Sequence, residues 1–454
     1  MNQDKKILLL GLLARLPANI SAALIPEFET MRAGGAKHLP FDEIIELLEK
    51  NCIVQEAEVK FQPSLSRAFF EPFEALFENA DTKLLPGSID RKILTNIWVA
   101  ISSKIDPMRL DEIETKHSNA ILRNDLTSRS QCGAMVRDEC LGLQEVADDP
   151  EILSEWDSAI SKVQSVRFYN LLKVENKARE HHLCVDLDLD VETSSPESVY
   201  TDFFKALEDE NVNWAADFAL LLMANSAKPW HVMRFFKSLA KGTNDRKLSL
   251  TALNTVGERL LATLDRMLDE INARKSTGDF DGVELAAQIE EYNKLNHGLE
   301  REEIMARDGP WRNKLKIIRG KAGKLFADCC ENAETAVIAA YVLDRTKVKG
   351  AGTMDIPRTS SEPNMAKVQT ALNFASFITA VRLFAPLAGF SGAHEKTYKV
   401  ILRHSDLVRN GLITLKQLED GGKFYEQWVD IAEQLTAEID DKDAAKSFRR
   451  QIAA

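Results

Sequence analysis

The sequence has few of the features that identify small disulfide-bonded, collagen-like or membrane-embedded proteins. Its 454 residues contain six cysteines with no Cys-x-x-Cys pair, which is too few for a disulfide framework and indicates reduced, mostly buried thiols. The 21 glycines and 14 prolines exclude collagen-like and proline-rich repeats. No window approaches the roughly 20 apolar residues of a spanning helix, so we expect no transmembrane segment.

The charge balance and the motifs are equally restrictive. There are 58 Lys and Arg against 70 Asp and Glu, a net charge of -12, which disfavours broad binding to nucleic acid or anionic membranes but leaves room for a local basic patch. A Gly-x-Ser-x-Gly elbow, a His-Glu-x-x-His pair and a dinucleotide fingerprint are all missing. We therefore expect no cofactor, and we expect binding rather than catalysis.

The N-terminus allows two interpretations. Lys5 and Lys6 precede the apolar run 7–14, and small residues follow at 21–23, so residues 1–23 resemble a secretory signal peptide. The run ends after eight residues at Arg15, and Pro17 follows, which favours a buried first helix instead. We expect a cytoplasmic protein; an exported one is the alternative if residues 1–23 are a signal peptide.

Helical periodicity dominates the chain and predicts an all-α fold of multi-helix bundles. Its clearest unit is an antiparallel helical hairpin. Apolar residues step by three or four from Leu250 to Ile271, a turn occupies 276–282, and the stripe resumes from Ala286 to Leu299. Residues 183–191 instead alternate apolar and polar residues, which predicts one short strand whose candidate hairpin partner is 57–61.

The pattern of helices and breaks divides the chain into five segments. We predict an N-terminal helical bundle over 1–146 and a middle helical region with the short strand over 150–245. The long hairpin and a basic amphipathic helix follow over 248–345. Residues 346–362 contain two glycines and a proline and predict an exposed, mobile loop. A C-terminal helical bundle covers 363–454.

Two groups of residues could bind metal. The first combines histidines with a row of aspartates: His181, His182, Asp186, Asp188 and Asp190. Its carboxylates match several positions of a calcium loop, but Val191 stands where that loop needs glycine, so a solvated strand face competes with a divalent-ion site. The second, Glu114-x-x-His117, has the spacing of half a di-iron site; no second copy occurs, which favours a surface pair.

One helix departs from the acidic character of the chain. No acidic residue lies between 309 and 327, and the helical wheel places basic residues opposite an apolar face. The candidate anion-binding residues are Arg312, Lys316, Arg319, Lys321 and Lys324. They could contact phosphate, RNA or anionic lipid, or pair with acidic helices of the same fold. Gly320-Lys321-Ala322-Gly323-Lys324 is not a phosphate loop, since it lacks the four-residue gap, the Ser/Thr and a preceding strand.

Three functions follow as hypotheses. The first is a helical interaction or scaffold protein, with the 250–300 hairpin as a projecting surface for a protein partner or a second copy. The second is a metal-assisted enzyme with a site between helical bundles near His181 and Asp186. The third is peripheral binding of phosphate or anionic lipid through the basic helix 312–324.

Overall fold

The computed structural model describes most of the chain. The described residues are 28, 40, 41, 44, 45, 64–79, 83–141, 162–183, 196–239, 244–277, 280–302, 305, 309–348, 352–418 and 421–453. Within these residues there are sixteen α-helices and two sheets of two strands each. The predicted all-α, multi-helix fold class is confirmed.

The described residues form two compact units. The first unit contains 64–71 and 95–141 together with the few described residues before 64, and the second unit contains 72–94 and 162–453. The boundaries of the five predicted segments stay predictions. The proposed signal peptide and the strand partner at 57–61 lie outside the described residues.

The described part of the first unit is built from four helices. They are α1 (Leu65–Phe70), α2 (Leu94–Ser102, whose first residue belongs to the second unit), α3 (Pro107–Leu122) and α4 (Leu126–Leu141). Asp106 caps α3, which has proline at its first position, where the missing N–H is not needed. Helix α4 approaches α1 closely at Gly133, where a Cβ would lie 2.1 Å from the carbonyl oxygen of Ala68. The buried Arg137 donates to that same oxygen at 3.1 Å and holds the two helices together.

The second unit begins with short elements and five helices. They are β1 (Phe77–Glu78), β2 (Ile89–Asp90), α5 (Lys162–Glu180), α6 (Pro196–Glu210), α7 (Val212–Ala224), α8 (Val232–Leu239) and α9 (Asp245–Leu248). Strands β1 and β2 pair in parallel. Their segment is fastened by the buried Arg259, which donates to the Ser88 hydroxyl at 2.6 Å and to the carbonyls of Pro86 and Ala75 at 3.2 and 3.0 Å.

The predicted helical hairpin is confirmed. Its arms are α10 (Asn254–Thr277) and α11 (Gly282–Arg301), and the side chain of Asp281 caps α11. Helix α12 (Pro310–Ala339) follows and packs on α10. The contact depends on Gly257 of α10, because the ring of the fully buried Trp311 fills the space that a side chain there would need.

Helix α12 has an N-cap that the chain supplies from a distance. Its N-cap residue, Gly309, has no side chain, and a Cβ there would lie 1.6 Å from Oδ1 of Asp245. The backbone N–H of Arg312 donates to Oδ2 of Asp245 at 3.2 Å. The completely buried Asp245 carboxylate therefore satisfies a free amide of the first turn, where the helix dipole also favours negative charge.

The C-terminal part contains a β-hairpin and four helices. They are β3 (Leu343–Val348), β4 (Gly352–Pro357), α13 (Met365–Val381), α14 (Ser391–Gln417), α15 (Tyr425–Ile439) and α16 (Lys442–Ala453). The prediction of a loop over 346–362 is wrong for most of this segment. Strands β3 and β4 pair antiparallel from Leu343 opposite Pro357 to Val348 opposite Gly352. Strand β4 also packs on α14, which buries Ile356 and explains why the strand forms despite its glycine and proline.

Two further predictions from the sequence concern the state of the cysteines and the lack of a membrane-spanning helix. Among the described residues Cys132, Cys140, Cys329 and Cys330 are buried free thiols, and Cys52 and Cys184 lie outside the described part. None of the described helices is long and apolar enough to cross a membrane.

Candidate functional site

The basic residues of α12 are largely paired within the second unit. On the flank facing α10, Lys314 lies 2.5 Å from Glu258 and Lys321 lies 2.7 Å from Asp265. The two lysines are seven residues apart, as are the two acids. The later lysine pairs with the later acid, so α10 and α12 run parallel to each other.

The opposite flank of α12 faces α11, where one acid serves two arginines. Glu300 Oε1 lies 2.5 Å from Arg319 and 3.4 Å from Arg312. Of the five predicted anion-binding residues, Arg312, Arg319 and Lys321 therefore have ion-pair partners in the same fold. Lys324 is exposed and has no ion pair among the described residues.

A cleft of about 400 Å³ opens beside this second flank. Lys316 and Arg319 of α12 line one wall, α11 forms the floor, and residues 387–389, between α13 and α14, form the rim. The volume is within the range typical of small-molecule sites. The cleft brings together two of the predicted anion-binding residues, Lys316 and Arg319.

The floor of the cleft contains buried polar atoms without partners. Tyr292, Asn293 and Asn296 line it and are 2%, 5% and 6% exposed. The Tyr292 hydroxyl, Asn293 Nδ2 and Asn296 Oδ1 accept or donate no hydrogen bond among the described residues. Buried polar groups are nearly always paired, so three unpartnered groups on residues that line one cleft are candidates for completion by water or a ligand.

The aromatic support of the floor is rigid and apolar. The Tyr292 ring packs edge-on against Phe326, with centroids 5.5 Å apart. Burial raises the pKa of the Tyr292 hydroxyl well above its usual range, so the group stays protonated and can donate to a ligand. With the amide nitrogen of Asn293, the lysine and the arginine, the cleft is rich in hydrogen-bond donors.

Glycines keep the α12 wall open. A Cβ at Gly320 or Gly323 would meet no heavy atom within 4 Å, and both residues line the cleft. They lie in the middle of a 30-residue helix, so the rejection of a phosphate loop is confirmed. On the opposite side, His297 Nε2 lies 2.8 Å from the carbonyl oxygen of Leu387 and fastens the rim to α11.

A second cleft of the same unit contains a perturbed carboxyl. It has a volume of about 220 Å³ and is lined by Arg167 and Asp217, which lie 3.8 Å apart. Burial raises the pKa of Asp217 to about 6, because the attraction of Arg167 only partly offsets the loss of hydration. Such a group suits proton transfer, but no second acid or base lines the cleft among the described residues, which weakens an enzymatic interpretation.

The predicted metal site is only partly described. His181 and His182 are exposed and follow the last turn of α5, whereas Asp186, Asp188 and Asp190, like most of the predicted strand 183–191, lie outside the described residues. Within the described part of the chain no group of three or more His, Cys, Asp or Glu side chains could hold a metal ion. The metal site therefore stays a prediction.

The Glu114-x-x-His117 pair needs a correction. Glu114 is exposed, but His117 is 3% exposed and its Nε2 has no hydrogen-bond partner among the described residues. Burial lowers its pKa. The prediction of a surface pair is wrong for His117, because the histidine lies on the apolar face of α3 with the buried Ile113 and Ala120.

Sequence reasoning found the basic wall of the cleft but not its floor. Tyr292 continues the apolar stripe of the hairpin, so the pattern predicts it as a core residue and does not mark the two asparagines. A usable signal exists: Asn296 lies four residues after Tyr292 and three before Leu299, and Asn293 lies four residues after Ile289, so both share the buried side of α11. Polar residues at such positions need partners.

The comparisons with known proteins give no relative. The chain matches no protein-family model, and no curated protein and no solved structure is significantly similar to it.

Proposed function

We propose that this protein binds a ligand that carries a phosphate or similar anionic group in the cleft between α11 and α12. The observation that carries the proposal is the set of buried, unpartnered polar groups on residues that line the cleft together with Lys316 and Arg319. Tyrosine hydroxyl, amide nitrogen, ammonium and guanidinium are all donors, and converging donors suit the acceptor oxygens of a phosphate.

The unpartnered Asn296 Oδ1 adds a requirement for the ligand. It is an acceptor. A ligand with a hydroxyl or amine near its phosphate would complete it, whereas a bare anion would leave it to water.

The other two hypotheses have less support. Most of the apolar stripe of the hairpin is buried against its own neighbours, with Leu264 and Ile289 fully inaccessible, which leaves little apolar surface for a partner on its described residues. The metal-assisted enzyme depends on aspartates outside the described residues.

The test is a titration with inorganic phosphate, followed by calorimetry and by the melting temperature, against chloride at matched ionic strength. Phosphate at about 100 times its Kd should stabilise the protein by about 2.7 kcal/mol, because it binds only the folded state. Lys316→Ala should weaken binding at least several-fold, since an anion loses one of its charged partners.

Two leucine substitutions separate the cleft from general effects. Gly320→Leu should fill the open wall and abolish binding, whereas Gly392→Leu, at a helical glycine that also has nothing within 4 Å and lies outside the cleft lining, should leave it unchanged. Equal phosphate effects in both variants, or no effect in the unsubstituted protein, would refute the proposal and leave the orphaned groups to ordered water.

A further inference from the structure

The rim of the cleft exposes two leucines. Leu383 is 90% exposed and Leu387 is 67% exposed, and they lie four residues apart in the turns that connect α13 and α14. Single exposed leucines are common on protein surfaces. Two on one side of the same turn, beside a cationic cleft, form an apolar tip that needs an explanation.

The tip rests on a rigid base. The N–H of Ala388 donates to the carbonyl of Phe384 at 3.0 Å, which gives the segment a helical turn and places residues 383 and 387 on the same side. Ala385, on the opposite side, is 1% exposed. The hydrogen-bond contact between His297 and the Leu387 carbonyl holds the turn beside the cleft, and this fixes the position of the exposed leucines.

We infer that this surface docks on an anionic phospholipid bilayer, with a lipid phosphate in the cleft and Leu383 and Leu387 inserted among the acyl chains. The inference rests on the proposed function, because it names a membrane as the source of the phosphate. A freely diffusing phosphate has no apolar group to contact the two leucines, whereas a bilayer contains phosphates and apolar chains at adjacent depths.

Charge complementarity supports this partner. Lys316 and Arg319 line the cleft, and the exposed Lys324 lies eight residues after Lys316 on the same helix. The chain as a whole carries a net charge of -12, so an anionic surface repels most of it. Docking is therefore limited to this orientation and weakens as salt rises.

The experiment is co-sedimentation of the full chain with extruded vesicles. Vesicles of phosphatidylcholine containing about 30% phosphatidylserine supply the anionic surface, and pure phosphatidylcholine vesicles are the comparison. The protein should sediment with the first and not with the second, and binding should fall as salt is raised.

A matched pair of leucine variants tests the tip. Leu383→Ser should reduce vesicle binding by about tenfold, while Leu250→Ser, at a leucine that is 87% exposed in the same unit, should leave it unchanged. Neither variant should alter the affinity for inorganic phosphate, because neither leucine lines the cleft.

The outcomes separate this inference from the proposed function. Phosphate binding without vesicle binding would overturn the membrane inference alone, and absence of both would overturn the two together. Equal vesicle binding by the two serine variants would also overturn it. Self-association of the chain in sedimentation, lost in Leu383→Ser, would assign the tip to a second copy instead.

Discussion

Gly257 is the position at which one added methyl group should have the clearest effect on stability. A Cβ there would lie 2.3 Å from Cε2 and 2.4 Å from Cζ2 of Trp311. The tryptophan cannot retreat easily, because it is 0% exposed and its Nε1 donates to Oδ1 of Asn254 at 3.0 Å. Gly257→Ala must therefore displace either the indole or the α10 backbone.

The magnitude follows from two opposing terms. Overpacking a filled core costs about 1–3 kcal/mol. Alanine in a helix regains up to about 1 kcal/mol over glycine. With the full gain regained, the net loss is up to about 2 kcal/mol, which corresponds to a fall in Tm of up to roughly 8 °C at about 2–4 °C per kcal/mol.

The assay compares Gly257→Ala with Gly320→Ala by calorimetry and urea unfolding. Gly320 is helical as well, but its added methyl meets nothing within 4 Å, so the substitution should raise stability by up to about 1 kcal/mol. Because the chain has two compact units, its unfolding cannot be treated as a single two-state transition. Hydrogen exchange of peptides from α12 should therefore confirm where protection is lost.

A double-mutant cycle identifies the cause. Trp311→Phe removes the indole atoms that the added methyl group would meet. Gly257→Ala should therefore lower the free energy of unfolding by measurably less in that background. If Gly257→Ala instead stabilises the protein as Gly320→Ala does, the close approach has been misjudged and the reasoning fails.

Three further predictions concern the charged and titratable groups. Glu300→Gln should raise the affinity for phosphate several-fold in calorimetry, because Arg319 loses its competing carboxylate; an unchanged affinity would show that Arg319 does not contact the anion. Arg259→Leu should cost about 3–5 kcal/mol in urea unfolding, because it removes the donors that hold the segment of β1 and β2. Arg274→Leu, in a more exposed ion pair at 2.5 Å, should cost less than about 1 kcal/mol, and similar costs for both arginines would contradict this reasoning. Burial lowers the pKa of His117 below its ordinary 6.5, so the stability it contributes is present above pH 6.5 and is lost as the pH falls through the folded pKa; melting temperatures measured between pH 7.5 and 5 should depend less on pH for His117→Phe, and identical pH dependence would exclude the role.

The fold was predictable where one pattern extends over many residues. The hairpin of α10 and α11 follows from apolar steps of three and four sustained over both arms, and its turn from Gly278 and Gly282. The β-hairpin of β3 and β4 was missed because glycine and proline marked a loop. The strands depend on packing against α14, which no local pattern contains.

The candidate site was predictable only as charge. The basic run of α12 is visible in the sequence, but its partners are not. Glu258 lies 56 residues before its partner Lys314, and Glu300 forms ion pairs with Arg312 and Arg319 of the next helix. Whether a charge is neutralised, and whether an asparagine faces a cleft, depends on how helices meet, and the helix period alone does not determine that.

The distant cap of α12 makes the formation of this helix conditional on another part of the chain. An isolated helix is costly to nucleate, and the first turn of α12 has no capping side chain of its own at Gly309. The carboxylate of Asp245 takes that role from 67 residues away. Helix α12 should therefore gain its full length only after α9 has docked. The wall carrying Lys316 and Arg319 would then be among the later parts of the second unit to assemble, and a chain cut anywhere between 245 and 309 could regain it only by reassociation of the two fragments.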